Sequence, residues 1–236
     1  MKEDTKQQTM KDRYRNGGMN MFEQLDPKGL QIKPVEMFGS DWMALTAGNE
    51  EEGYNAMTIA WGQIGTLWER ETHANRLPVA TCFVRPSRYT KTFIDREQSF
   101  TLCLLAKEHK KALGILGSRS GRDGNKIAEA GLTPVFDGKM TYFKESELVL
   151  FCHVLYHAPL LEEGFTDRDL VDFNYPKRDF HTMYVGEIVK AYRKKSRLMP
   201  AFHTVRSLYW RPKSSIVFRI GKISFPSLPM RARSMA

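Results

Sequence analysis

The sequence of 236 residues lacks several features that would define a class of protein at once. It has no apolar run approaching the roughly 18–20 residues of a membrane span. Its polar start, MKEDTKQQTMKDRYRNGG, lacks the apolar segment of a secretory signal peptide. Its three cysteines, Cys82, Cys103 and Cys152, are far apart and form no Cys-x-x-Cys pair. We therefore expect no disulfide framework and no metal site, and we predict a cytoplasmic protein.

Motifs for nucleotide binding and nucleophilic catalysis are also missing. No Gly-x-Gly-x-x-Gly turn or P-loop is present, so neither a Rossmann nor a Walker site is indicated. Cys152 and His153 are adjacent in an apolar stretch, where strand alternation would send them to opposite faces. The sequence therefore predicts no Cys–His nucleophile pair. Because 42% of the residues are hydrophobic, wholesale disorder is excluded.

Acidic residues are absent after Glu187, where 12 Lys and Arg residues remain. The first 187 residues hold 24 bases and 27 acids, so the net charge of +9 arises entirely in the C-terminal fifth. We predict three regions: a disordered polar leader at 1–20, a folded domain at 21–192, and a basic extension at 193–236. The extension is either an appendage that packs or binds an anionic partner, or a stretch of arbitrary composition. Met1 and Met21 are both possible starts.

The pattern within the predicted domain is mainly β, with short helices at the connections. Short apolar or alternating runs indicate strands, and Ser99–Leu105 is expected to be buried on both faces. The predicted strands are 42–48, 55–62, 77–85, 99–105, 147–157 and 183–191. Helices are predicted at 89–97 with Ser87 as N-cap, at 107–116 ending at Gly117, and at 124–130.

Four segments carry candidate chemistry, each with a plainer alternative. The turn 85–90 places arginines and hydroxyls at a helix N-terminus, which suits a phosphate but also fits an ordinary capped helix. The loop 118–126 could cradle an anion or simply be solvated. The strand 55–62 has small residues that let a flat ring approach, or it is a core strand containing Trp61. His181, at the mouth of a strand, is either a pocket residue or a structural histidine.

Taken in order, six segments resemble the flavin reductase-like family of FMN-binding split-barrel proteins. They include "YNAMTIAWG", "PVATCFVRPSRYTKTFID", "KALGILGSRSGRDGNKIAEAGL" and "HTMYVGEIV", and the resemblance runs from about residue 25 to 189. It implies a six-stranded antiparallel split β-barrel with peripheral helices, usually a homodimer with FMN near the interface. The leader, the longer connection at 69–77 and the extension depart from the family pattern, and an inserted loop at 70–76 would lie near the flavin.

The resemblance also implies roles for individual residues. It places the FMN phosphate at the turn 85–90, the ring and ribityl chain along the strand 55–62, and the rest of the site at the loop 118–126. The implied cofactor residues are Asn55, Met57, Thr58, Ala60, Trp61, Gly62, Arg85, Ser87, Arg88, Tyr89, Thr90, Ser120, Gly121, Arg122 and Lys126. His181 is the implied catalytic residue, beside the ring where nicotinamide would stack.

The implied function is an FMN oxidoreductase that takes a hydride from NADH or NADPH and passes electrons to an acceptor or releases reduced flavin. Such an enzyme needs a shaped pocket rather than a nucleophile, which fits the missing motifs. One alternative is an FMN-binding electron carrier that does not use NAD(P)H. Another is a binder of nucleic acid or anionic surfaces through the basic extension. We expect a homodimer with no nucleic-acid or membrane partner.

Overall fold

The computed structural model describes residues 21–195. The predicted leader at 1–20 lies outside the described residues, as does the predicted extension beyond Lys195. Within residues 21–195, no helix combines the length and apolar character needed to cross a membrane.

Ten strands make up 44% of the described chain. They are β1 (Phe22–Leu25), β2 (Met43–Asn49), β3 (Gly53–Ile59), β4 (Gly62–Glu69), β5 (Arg76–Val84), β6 (Ser99–Leu105), β7 (Pro134–Asp137), β8 (Met140–Phe143), β9 (Ser146–Pro159) and β10 (Thr182–Lys194). The main sheet has the antiparallel order β3-β2-β6-β9-β10-β5-β4, with β1 paired to β10. Strands β7 and β8 form a separate hairpin. The mainly β fold with short helices is therefore confirmed.

The central strands are buried on both faces because successive side chains enter different apolar clusters. On β6, Phe100 and Leu102 belong to one cluster, whereas Cys103 and Leu105 belong to the other. All seven residues of β2 are likewise buried. This confirms the prediction for Ser99–Leu105, and it explains why these strands read as continuous apolar runs rather than as an alternation.

Within residues 21–195, five α-helices connect the strands: α1 (Pro34–Glu36), α2 (Tyr89–Glu97), α3 (Lys110–Ser118), α4 (Lys126–Glu129) and α5 (Arg168–Asn174). A π-helical turn, Met37–Asp41, follows α1. Two predicted caps are wrong. The N-cap of α2 is Arg88 rather than Ser87, and it forms no side-chain capping bond. Helix α3 continues through Gly117 to Ser118, so its C-cap is Arg119.

Several boundaries differ from the prediction. The strand predicted at 55–62 ends at Ile59, and Gly62 begins β4 after a break at Ala60 and Trp61. At this break the ring of Phe38 packs against Gly62 where a Cβ would lie, so the chain passes close to the π-helical turn. Strand β10 continues through Lys194, two residues past the predicted domain boundary, with Arg193 paired to Glu23 and Leu148.

The predicted insertion after Trp68 is the tip of the β4–β5 hairpin. Glu69 pairs with Arg76 across the hairpin, whereas Gly62 pairs with Cys82 at its other end. The tip therefore lies at the opposite end of β4 from Trp61 within the same chain. The structure therefore does not place the insertion beside the predicted flavin residues of its own chain.

Candidate functional site

Three bases converge where α2 begins and α3 ends. The Nη1 of Arg88 donates to the carbonyl of Gly117 at 3.1 Å. The Nζ of Lys126 donates to the carbonyls of Leu116 and Arg119, each at 3.0 Å. The guanidinium of Arg122 lies 4.4 Å from the ring centre of Tyr89. The turn 85–90 and the loop 118–126 therefore meet, as the sequence analysis predicted. We call Arg88, Arg122 and Lys126 the basic cluster.

The basic cluster carries positive charge without carboxylate partners. Among residues 21–195, none of its three members forms an ion pair, although the neighbouring Arg119 pairs with Glu129 at 3.2 Å. The first amide N–H groups of α2 also lack intrahelical acceptors, as at any helix start, and they add partial positive charge. Carbonyl contacts alone leave this charge uncompensated, so the arrangement suits a dianion such as a phosphate monoester.

Lys126 is the most unusual member of the cluster because it is a lysine with only 4% of its surface exposed. Burial, with the charge of Arg88 nearby, lowers the pKa of Lys126 to about 8. A bound anion would reverse this effect by favouring the charged ammonium. A bound phosphate would therefore offset the energetic cost of burying the charged ammonium of Lys126.

A lysine with this pKa should make phosphate binding depend on pH. We expect FMN affinity to fall roughly tenfold between pH 7 and pH 9.5, as Lys126 loses its proton, while riboflavin affinity stays flat. In Lys126→Gln, FMN should bind weakly at both pH values. Fluorescence titrations across this range test the expectation. An equal pH slope in wild type and variant would contradict it.

Strand β3 forms the adjoining wall. The Nδ2 of buried Asn55 donates to the Oγ1 of Thr90 at 3.0 Å, which ties β3 to the first turn of α2. Gly121 approaches Asn55 so closely that an added Cβ would clash with its side-chain oxygen. The hydroxyl of Thr58 donates to the carbonyl of Leu113. A groove of about 500 Å³ opens along this wall, lined in part by Asn55, Tyr89, Gly121 and Lys126.

The residues predicted to border the flavin ring lie in more apolar surroundings than the basic cluster does. Met57 points into the apolar core, while Ala60 and Trp61 are exposed at the break between β3 and β4. The indole of Trp61 is 43% exposed, and its ring centre lies 4.8 Å from that of His181. A second, apolar groove of about 770 Å³ passes Ala60, Trp61, Phe165 and Tyr175.

His181 is buried immediately before β10. Its Nδ1 lies 2.9 Å from the hydroxyl of Tyr175, a partner that sequence reasoning missed. Burial and the nearby charges of Arg85 and Arg88 lower the pKa of His181 to about 4, against an opposing effect from Asp179. The imidazole is therefore neutral near pH 7. No spacing signal marks Tyr175, which lies in the connection between β9 and β10.

Arg85 and Ser87 are not part of the basic cluster. The Nη1 of Arg85 pairs with Oδ1 of Asp179 at 2.6 Å, and its Nη2 donates to the carbonyl of Asn174 at 2.8 Å. Its guanidinium therefore lies on the side of His181. Ser87 is exposed and gives no capping bond, and Ser120 accepts a bond from the backbone N–H of Arg122 at 3.2 Å.

Comparison with known proteins defines the class. Residues 74–211 match the family described as flavin reductase like domain, so the chain belongs to the flavin reductase-like family. The match runs past the described residues to 211, so part of the predicted extension does have a counterpart in the family, contrary to the expectation that the resemblance ends near residue 189. No curated protein sequence matches the chain. Family membership supports flavin binding and flavin-related redox chemistry.

Two solved structures resemble this chain at low sequence identity. The flavoredoxin of Desulfovibrio vulgaris is 18% identical, with a TM-score of 0.50 over 71% of this chain and 75% of that one. Component B of nitrilotriacetate monooxygenase from Bacillus cereus is 18% identical, with a TM-score of 0.49 over 72% of this chain and 83% of that one. The flavoredoxin likeness, with the family match, confirms the predicted split-barrel fold.

Proposed function

We propose that this protein is an FMN-dependent NAD(P)H oxidoreductase of the flavin reductase type. The observation that carries the proposal is the basic cluster, which combines three bases lacking carboxylate partners within the described chain with the start of α2 beside the groove along β3. Its donor chemistry fits a phosphate, and the adjoining strand fits a planar ring. The family match supports a flavin as the molecule that joins the two.

Each part of the site would then have a defined task. Arg88, Arg122 and Lys126 would hold the phosphate, and Asn55 with Thr90 would fix β3 against α2 along the groove. FMN would supply a ring that accepts a hydride from NADH or NADPH and passes electrons onward. Trp61 and neutral His181 would border the face where the nicotinamide docks, and they would shield it from water.

Equilibrium binding tests the cofactor assignment. The full chain should quench the fluorescence of FMN on titration, and it should bind riboflavin more weakly because riboflavin lacks the phosphate. Equal affinity for both ligands would contradict a phosphate site at the basic cluster. A colourless protein that FMN cannot reconstitute would contradict the cofactor itself.

We also propose that two copies of the chain associate through the edge strand β4. Leu67 is 42% exposed, and Trp68 and Tyr156 are each 46% exposed, with 6.4 Å between the two ring centres. Strand β4 ends the main sheet, so its outer edge has no paired strand within residues 21–195. An apolar patch beside a free edge favours pairing with another chain.

Sedimentation measures this association directly. Wild type should sediment as a dimer at micromolar concentration, and Trp68→Glu should shift it toward the monomer. A wild-type protein that is monomeric at every concentration would contradict the proposal.

The cysteines support the proposed cytoplasmic location. Cys82, Cys103 and Cys152 are all buried free thiols. Burial raises the pKa of Cys82 and Cys152 and takes that of Cys103 to about 12, which keeps the thiols protonated. Unpaired thiols are typical of proteins that work in a reducing compartment.

A further inference from the structure

Arg85 belongs to the same short turn as Arg88 but makes contacts of a different kind. Besides pairing with Asp179, its Nη1 lies 3.4 Å from the carbonyl of that residue, and its guanidinium carbon lies 5.2 Å from the ring centre of Tyr175. With the bond to the carbonyl of Asn174, one guanidinium holds both ends of a short stretch. The phosphate-binding reading of this motif does not account for these contacts.

The stretch belongs to the connection between β9 and β10, residues 160–181. The backbone N–H of Leu160 donates to the carbonyl of His181 at 2.9 Å, which closes the base of the connection. Inside it, Phe165, Tyr175 and Phe180 form an aromatic cluster with ring centres 4.7–5.8 Å apart. Arg85, which directly follows β5, therefore links this connection to the barrel through an ion pair and a hydrogen bond.

Tyr175, whose ring Arg85 contacts, also faces His181. Burial raises the pKa of Tyr175, and the charge of Arg85 and the backbone N–H of His181 oppose that rise. A neutral phenol is a stronger hydrogen-bond donor than a neutral imidazole N–H, and an imidazole nitrogen is a stronger acceptor than a phenol oxygen, so we expect the phenolic proton to point at Nδ1 of His181, 2.9 Å away. The imidazole would then carry its own proton on Nε2, so that this nitrogen is a hydrogen-bond donor.

We propose that Arg85 is a positioning residue: with Asp179 it fixes the 160–181 connection so that Tyr175 holds His181 in the Nε2–H tautomer. The proposal rests on the proposed function only in assigning His181 to the reacting face of the site. The tautomer itself is a property of this chain alone. A phosphate bound by Arg85 would have to share its guanidinium with Asp179, which already pairs with Nη1 at 2.6 Å.

Ring-nitrogen NMR of the full-length protein with isotope-labelled histidine tests the tautomer. The chain has 6 histidines, and the signal missing from His181→Gln assigns the one of interest. Wild type should show a single Nε2–H tautomer. Tyr175→Phe and Arg85→Gln should each show a mixture of both tautomers. Arg85→Lys should restore the Nε2–H tautomer in part, because one ammonium can reach only one of the two acceptors of Arg85, the Asp179 carboxylate and the Asn174 carbonyl.

Arg178→Ala is the matched control, since Arg178 lies in the same connection but pairs with Asp172 and Glu162 instead. It should keep the wild-type tautomer. In steady-state assays, Arg85→Gln should lower kcat roughly three- to tenfold, as expected for one lost hydrogen bond, with little change in FMN affinity.

Two results would overturn the proposal. One is an Arg85→Gln variant with the wild-type tautomer and a selective loss of FMN over riboflavin affinity, which would make Arg85 a phosphate ligand. The other is a wild-type tautomer in both Arg85→Gln and Asp179→Asn. If the protein oxidises neither NADH nor NADPH, the proposed function fails, but the NMR result still decides the role of Arg85.

Discussion

Removing the guanidinium of Arg88 should weaken FMN binding about 10- to 150-fold, which corresponds to the roughly 1.5–3 kcal/mol of one charge-assisted phosphate contact. Riboflavin binding should barely change in Arg88→Ala, because under the proposed function the lost group would contact only the phosphate of FMN. The expectation follows from the place of Arg88 at the start of α2, where the only hydrogen-bond partner of its guanidinium within residues 21–195 is the carbonyl of Gly117. Fluorescence quenching titrations with both ligands measure the effect.

Arg119→Ala provides the control for the loss of one positive charge. Arg119 lies in the same loop as Arg122 and Lys126, but its guanidinium is 64% exposed and pairs with Glu129. This variant should bind FMN within about twofold of wild type, because an exposed charge acts weakly through solvent. If Arg88→Ala and Arg119→Ala lose equal affinity, general electrostatic attraction rather than a built phosphate site explains the binding.

Lowering the pH from 7 to 5 should decrease the free energy of unfolding of wild type by about 2 kcal/mol more than that of His181→Gln. The folded pKa of about 4 lies below the value of 6.5 for a free histidine, so the unfolded chain takes up the proton first. The stabilising contribution is complete above pH 6.5 and is lost as the pH falls toward 4. Urea unfolding at both pH values measures the difference.

The charged and titratable groups around His181 come from three parts of the chain, and together they set its pKa. Arg85 at the end of β5 and Arg88 before α2 disfavour the imidazolium, while Asp179 in the connection favours it. Tyr175, from the residue after α5, occupies Nδ1. If wild type and His181→Gln lose stability in parallel, His181 is not a buried neutral histidine.

Most of the barrel could be predicted because its strands are marked by burial on both faces. The runs 99–105 and 147–157 correspond closely to β6 and β9. Strand β4 was missed because most of its residues are exposed and its side chains show no apolar alternation. The hairpin β7–β8 was missed because each strand has only four residues. Helix α5 buries only Val171, so it gave no periodic signal.

The site was predicted in part. The family resemblance placed Arg88 and the loop 118–126 in one site, and the structure brings them together, but the resemblance could not separate Arg88 from Arg85. The turn between them, closed by the Arg88 N–H on the carbonyl of Arg85 at 3.0 Å, sends the two side chains to different partners. Tyr175 and Asp179 could not be predicted, because their contacts with His181 and Arg85 depend on how the 160–181 connection folds back.

The central claim is that this protein uses bound FMN to oxidise a nicotinamide. Anaerobic stopped-flow mixing of the FMN-loaded full-length protein with NADH or NADPH tests it most directly. The account predicts rapid loss of the visible absorption band of oxidised flavin with at least one donor, and a slower loss in His181→Gln at unchanged FMN affinity. An FMN-loaded protein that neither donor bleaches, while a chemical reductant does, would contradict the claim and identify an electron carrier instead.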